Sequence, residues 1–146
     1  MGILALDLVS KSMAERLTNT VSILPGFLYF NFVKNFGMAW SFLSGQTVFL
    51  SLVAAVAILA MGYYLIYRKP TGLKKFAIEL MVAGALGNLI DRLSLGYVRD
   101  FIDTYIFGYD FPIFNVADCA LTIGVLFLLI VEYQEERHGK NTLNCG

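Results

Sequence analysis

The chain has 146 residues and is 58% hydrophobic, 14% aromatic and only 15% charged, with zero formal net charge and a mean hydropathy of +0.67. An average soluble domain holds about 45–50% apolar and about 25% charged residues, so both departures point to a bilayer rather than to water. The balanced charge, with no basic run interleaved with aromatics, excludes nucleic acid as a partner, and the length suits a single domain over 1–146.

The first segment, MGILALDLVSKSMAERL, reads as a helix over about 1–17. Only six residues precede Asp7, about 9 Å of helix against a ~30 Å hydrocarbon core. It is expected to be the outer part of a first spanning helix that is truncated in this chain. It is too apolar and too poor in N-terminal charge for a cleaved signal peptide. The next segment, SILPGFLYFNFVKNFGMAWSF, alternates in part and carries turn signals at Pro25-Gly26 and Asn35-Phe36-Gly37. That pattern predicts a small β-rich element over about 21–46, lying on the outer membrane surface.

Thr47 to Tyr67 runs 21 residues without a charge, the length of a spanning helix. Arg68, Lys69, Lys74 and Lys75 then crowd the short loop RKPTGLKK, which marks it as cytoplasmic and leaves 18–46 and 91–113 outside. A third helix is expected over 74–91. Its small residues Ala83, Gly84, Ala85 and Gly87 suit close packing in the middle of a bundle. The second outer segment, with Tyr105, Phe107, Tyr109, Phe111 and Phe114, is aromatic enough to sit at the interface. A last helix over 116–134 carries Asp118 in its first turn and ends in a cytoplasmic polar tail. The expected fold is mostly α: a polytopic four-helix transmembrane bundle, both ends inside, with a small extracytoplasmic β-rich element.

The chemistry narrows by elimination. Cys119 and Cys145 have no metal-type spacing and no reason to be bridged, and His138 is the single histidine. A histidine triad or a metal site therefore lacks its parts. Six aspartates remain: Asp7, Asp91, Asp100, Asp103, Asp110 and Asp118. Solvated outer charge accounts for Asp103 and Asp110. It accounts badly for Asp91 and Asp118, each the last residue of an Asn-x-x-Asp unit at a helix end (Asn88 to Asp91, Asn115 to Asp118). The i, i+3 spacing sets amide and carboxylate on one helical face, and ionisable groups near a membrane are functional candidates that need partners. Asn115 or Asp118 also suits a helix cap, and Arg92 offers Asp91 a salt bridge. Two close carboxylates cannot both ionise and so share a proton, which equips them for acid–base peptide hydrolysis without a metal.

Specific blocks then choose among the aspartates. GALGNLIDRLSLGYVRDFID (84–103) and FPIFNVADCALTIG (111–124) strongly resemble the signature blocks of lipoprotein signal peptidase, or signal peptidase II. Asp7-Leu8-Val9-Ser10-Lys11 and KNFGMAWSFLSGQ (34–46) are similar to two further blocks of that family, in the same order. The resemblance implies an aspartic endopeptidase that cleaves diacylglyceryl-modified prolipoproteins just before the lipidated cysteine, in the bacterial inner membrane. Carried over by position, its catalytic residues fall on Asp100 and Asp118. Asp7, Lys11, Asn35, Gly84, Asn88, Asp91, Arg92, Asn115 and Ala117 match positions that bind substrate or support the site. Asp7 and Lys11, four residues apart, suit an ion pair on one helix face. No cofactor or metal is implied; the partners are prolipoproteins and membrane lipids, and the chain is expected to act as a monomer. Met38 and Arg99 depart from the family pattern, where a small and an apolar residue are usual.

Three rival readings are weaker. A non-catalytic transporter or assembly subunit accounts for polar residues along a path, but not for two Asn-x-x-Asp units with a third aspartate beside them. A serine–lysine dyad of Ser10 or Ser12 with Lys11 is a poor one, because adjacent helix residues such as Ser10 and Lys11 diverge. The tail Thr142-Leu143-Asn144-Cys145-Gly146 lacks the apolar run a substrate needs.

Overall fold

The computed structural model describes residues 2–37 and 45–143, the last six of these by backbone alone. Met38 and Cys145 lie outside the described residues, as does the His138 side chain. In chain order the elements are α1 (Gly2–Ala14), β1 (Val21–Leu24), β2 (Leu28–Asn35), α2 (Thr47–Arg68), α3 (Gly72–Leu95), β3 (Val98–Ile106), β4 (Tyr109–Phe114) and α4 (Val116–Leu143).

Among the described residues two helices are long and apolar enough to cross a membrane: Thr47–Arg68 and Val116–Arg137, with mean hydropathies of 2.3 and 2.0. Just 11% and 17% of their apolar windows are buried inside the protein. Core helices of a water-soluble domain would be covered. These present bare valine, leucine and isoleucine outward, the pattern of lipid-facing surface. The central helix α3 differs. It buries Ala77, Leu80, Gly84, Ala85, Gly87 and Asn88, and α1, α2 and α4 all pack against it. Its small residues permit that approach: a Cβ on Gly84 would overlap the carbonyl oxygen of Ala117 in α4, and one on Gly87 would overlap the Asp7 carboxylate of α1. Helix α3 ends at Gly96, whose left-handed φ of 81° lets its N–H close on the Arg92 carbonyl oxygen.

The sheet is larger than the sequence reading allows. Beside the expected strands in 21–35, the second outer segment forms β3 and β4, giving one antiparallel sheet in the order β1-β2-β3-β4. Tyr105, Phe107, Tyr109 and Phe111 fall on alternate positions, so the segment carried a strand period beneath its interfacial composition. The pairing register sets Val33 opposite Asp100 and Asn35 opposite Val98. Asn35 is therefore diagonal to Asp100 on the same face, within reach of a side-chain contact. Helix limits also move: α3 starts two residues before the expected 74 and runs to Leu95, and α4 continues through the polar tail to Leu143.

Candidate active site

Asp118 lies in the first turn of α4, and local chemistry dictates its posture. Asn115 caps the helix: its Oδ1 accepts the Asp118 N–H at 3.0 Å, while Asp118 Oδ2 accepts the Asn115 N–H at 3.1 Å. This reciprocal exchange is a capping box, so the capping reading and a functional one coexist in the same residues. The other oxygen, Asp118 Oδ1, accepts from Asn88 Nδ2 of α3 at 2.7 Å.

Asp100 comes from β3 and is 2% exposed. Its Oδ1 accepts from Asn115 Nδ2 at 2.7 Å and its Oδ2 from Asn35 Nδ2 at 2.8 Å. Burial, and next the charge of Asp118, push its pKa up from 3.8 to about 7, against the opposing pull of Asn35, Asn115 and Lys11. A carboxyl group with that value holds or releases a proton near neutral pH, as acid–base work requires. Asp100 and Asp118 both line one cleft of about 740 Å³ together with Asn35, Asn88 and Arg92. Its remaining wall is mostly apolar, built from Leu50, Val53 and Ala54 of α2, Phe114 of β4 and Leu121 of α4.

Behind the cleft lies an ion network with no exposure to solvent. Lys11, Asp7 and Asp91 are all 0% exposed. Lys11 Nζ meets Asp7 Oδ2 at 2.8 Å, Asp91 Oδ2 at 3.5 Å and Asn88 Oδ1 at 2.9 Å. The expected Asp7–Lys11 pair is thus present. Asp7 Oδ1 also accepts the Ala117 N–H at 2.8 Å, fastening α1 to the start of α4. Buried charges persist when paired and hydrogen-bonded; removing one partner of such a pair costs about 3–5 kcal/mol.

Two sequence expectations need correction here. The guanidinium partner of Asp91 is Arg99, not its neighbour Arg92. Arg99 Nη2 meets Asp91 Oδ1 at 2.7 Å, and the Arg99 main-chain N–H donates to Asp91 Oδ2 at 3.0 Å. Adjacent helix residues point about 100° apart, so Arg92 turns to the cleft instead, where Nη2 donates to the Gly37 carbonyl at 3.2 Å. Arg99 also reaches Glu15 Oε2 at 3.3 Å, tying β3 to α1. The second correction is Asp103, which is buried rather than solvated and accepts from Asn31 Nδ2 at 3.3 Å. Asp110 is exposed, as expected.

All eleven residues singled out from sequence meet in this region. Gly84 and Ala117 face each other across α3 and α4, and the other nine belong to the hydrogen-bonded network or line the cleft. Sequence reasoning missed Arg99 and Glu15 as partners. An arginine directly before Asp100, where the resembled family usually has an apolar residue, was the available signal. It also missed the cleft wall on α2, where Ala54 and Ala57 leave room at i, i+3 spacing.

The comparisons with known proteins agree with this geometry. The family model described as signal peptidase (SPase) II matches residues 1–134. The chain is 43% identical over 143 residues to the lipoprotein signal peptidase of Staphylococcus carnosus (strain TM300), covering 95% of this chain and 90% of that protein. It is 45% identical over 133 residues to the lipoprotein signal peptidase of Staphylococcus haemolyticus (strain JCSC1435), covering 88% and 84%. A bacterial membrane enzyme solved by the in meso method at 2.3 Å superposes with a TM-score of 0.86 at 39% identity, over 92% of this chain and 84% of that one. A family match over most of the length, relatives above 40% identity and a shared fold with a membrane enzyme have one reading: this chain is a membrane protein that belongs to the signal peptidase II family.

Proposed function

We propose that this chain hydrolyses the peptide bond just before the diacylglyceryl cysteine of prolipoproteins, releasing the signal peptide, with Asp100 and Asp118 as the reacting pair. One observation carries the residue assignment: the two carboxylates open into the same apolar cleft and are bridged by a single asparagine, Asn115.

In this mechanism Asp118 acts first as base. Both carboxylates accept hydrogen bonds on each oxygen, but Asp118 alone of the two sits at a helix N-terminus, where the aligned peptide dipoles favour a negative charge. Asp118 takes a proton from water as the water oxygen adds to the scissile carbonyl carbon. Asp100, with its elevated pKa, carries the complementary proton and gives it to the carbonyl oxygen. Collapse of the tetrahedral intermediate expels the cysteine amine, which receives the proton held by Asp118, and the carbonyl re-forms as Asp100 regains its own. Arg92, Asn35, Asn88 and Asn115 position the peptide and the pair. The apolar wall excludes water and accommodates acyl chains, at roughly 0.8 kcal/mol per buried CH₂.

The wider assembly in this reading is one domain over 1–146, acting as a monomer with a four-helix bundle in the bacterial inner membrane, its first helix, α1, too short at 13 residues to cross alone. The sheet lies on the outer face and the loop carrying Arg68, Lys69, Lys74 and Lys75 lies in the cytoplasm, where positive residues accumulate. The deciding assay is cleavage of a lipidated prolipoprotein by the reconstituted chain. Asp100→Asn and Asp118→Asn are each expected to nearly abolish it, with the double variant hardly worse than either, because the two act as a unit. Normal turnover by either single variant overturns the pair. Equal cleavage of the same peptide carrying a bare cysteine overturns the lipid requirement.

A further inference from the structure

Each of the three site asparagines has its side-chain amide direction fixed by a donor at its oxygen. Asn35 Oδ1 accepts the Gly37 N–H at 2.8 Å, which leaves Nδ2 for Asp100. Asn115 Oδ1 accepts the Asp118 N–H at 3.0 Å, and its Nδ2 serves Asp100 and, at 3.1 Å, Asn88 Oδ1. These two are pinned by main-chain groups. Asn88 is pinned by a side chain from a different helix: Lys11 Nζ, 2.9 Å from its Oδ1.

An ammonium has three donors and no acceptor. A flipped Asn88 amide would set donor against donor at Lys11 and acceptor against acceptor at Asp118. Asn115 Nδ2 also approaches Asn88 Oδ1, but it is shared with Asp100. The Lys11 contact is the charged one, one of three that Nζ makes with Asp7, Asp91 and Asn88, and it is fully buried, where a hydrogen bond left unmade is costly.

We propose that Lys11 is a positioning residue for the peptidase reaction: by fixing the direction of the Asn88 amide, it holds Asp118 as a hydrogen-bond acceptor and hence as the member of the pair that takes the proton from water. The proposal rests on Asp100 and Asp118 being the reacting pair. The charged groups that bear on them are Lys11 and Asp7 from α1 and Arg92 from α3, besides the two carboxylates themselves. Lys11 also acts directly on Asp100, lowering a pKa that burial and Asp118 raise.

Lys11→Met alone strands the Asp7 carboxylate and invites unfolding, so the informative variant is Lys11→Met with Asp7→Asn. It keeps the side chains close in volume, leaves the formal charge unchanged and retains an acceptor for the Ala117 N–H. Cleavage of a lipidated prolipoprotein is followed across the bell-shaped pH–rate profile, with KM and kcat separated and thermal midpoint monitored. The expected result is a folded protein with kcat lowered by about 10–100-fold, the usual cost of losing an orienting partner behind a reacting group. KM is expected to stay within a factor of two or so, since the variant leaves the uniform binding of substrate untouched. The limb set by Asp100 moves to higher pH, because that carboxyl loses the nearby Lys11 charge. A folded double variant whose limbs stay in place overturns the proposal, as does a loss that merely follows the folded fraction. Asn88→Ala, which leaves Lys11 paired with Asp7 and Asp91, provides the second arm: kcat is expected to fall likewise with KM little changed, and an unchanged kcat overturns the proposal equally. Asp100→Asn, run in parallel, separates the two levels, since normal cleavage by that variant refutes the reacting pair whatever Lys11 does.

Discussion

Asp100 illustrates how a single buried residue couples stability to pH. Its carboxyl titrates at about 7 in the folded chain against an ordinary value of 3.8. Between those values the folded chain holds a proton that the unfolded chain has lost. Stability must therefore fall as pH rises from about 4 to about 7 and level off above, because the state that binds more protons is favoured by acid. Thermal midpoints in detergent are expected to decline over that window in the parent. Asp100→Asn, which has no proton to lose, is expected to remove this component and to be the more stable form above neutrality. Identical pH profiles for the two would contradict the assignment.

At the scale of elements, the contact between α3 and α4 sets the distance from Asn88 to Asp118. Gly84 is the point of closest approach, its missing Cβ leaving room for the Ala117 carbonyl oxygen and the Leu121 side chain. Main chain cannot give way as the end of a flexible side chain can. Gly84→Ala is therefore expected to destabilise by about 1–3 kcal/mol and to push the first turn of α4 away from α3. Cleavage should fall by more than the loss of folded protein, measured as activity per folded molecule after thermal denaturation controls. Proportional losses would mean that the contact serves packing alone. The β3–β4 hairpin carries a different tension. Its turn holds Phe107 at φ 52° and Gly108 at φ 78°, a pair of left-handed residues of the kind that connects twisted strands. Phe107 is fully exposed, and asparagine tolerates that backbone better. Phe107→Asn is expected to stabilise the folded chain by about 1 kcal/mol, read as a rise in thermal midpoint, with no change expected in cleavage.

For the whole molecule, orientation is the decisive property, because the site must face the side on which lipidated precursors present their cleavage site. With Cys119 and Cys145 replaced by serine, a cysteine at Thr71 is expected to resist a membrane-impermeant thiol reagent in intact cells. One at Asp110 is expected to react. Both positions are exposed on the protein surface, so protection would come from the membrane rather than from folding. The opposite labelling pattern would invert the molecule and remove the outer site.

The sequence by itself determined the membrane character and the four helical segments, and it named the residues that the fold brings together around the cleft. Composition and long uncharged runs are local properties that burial in lipid demands, and the Asn-x-x-Asp units and motif blocks sit within single elements. Tertiary structure decided the partnerships. Asp91 pairs with Arg99 and Lys11, which lie eight and eighty residues away along the chain, rather than with adjacent Arg92, whose side chain leaves the helix in another direction. Asp103, polar and near a loop, reads as solvated until β2 covers it with Asn31. The strands β3 and β4 become clear once β2 pairs with β3 and β3 with β4, because a strand depends on its cross-strand neighbours as much as on its own residues. The direction of the Asn88 amide follows from a lysine on another helix, and no spacing along the chain encodes which end of an amide meets a charge.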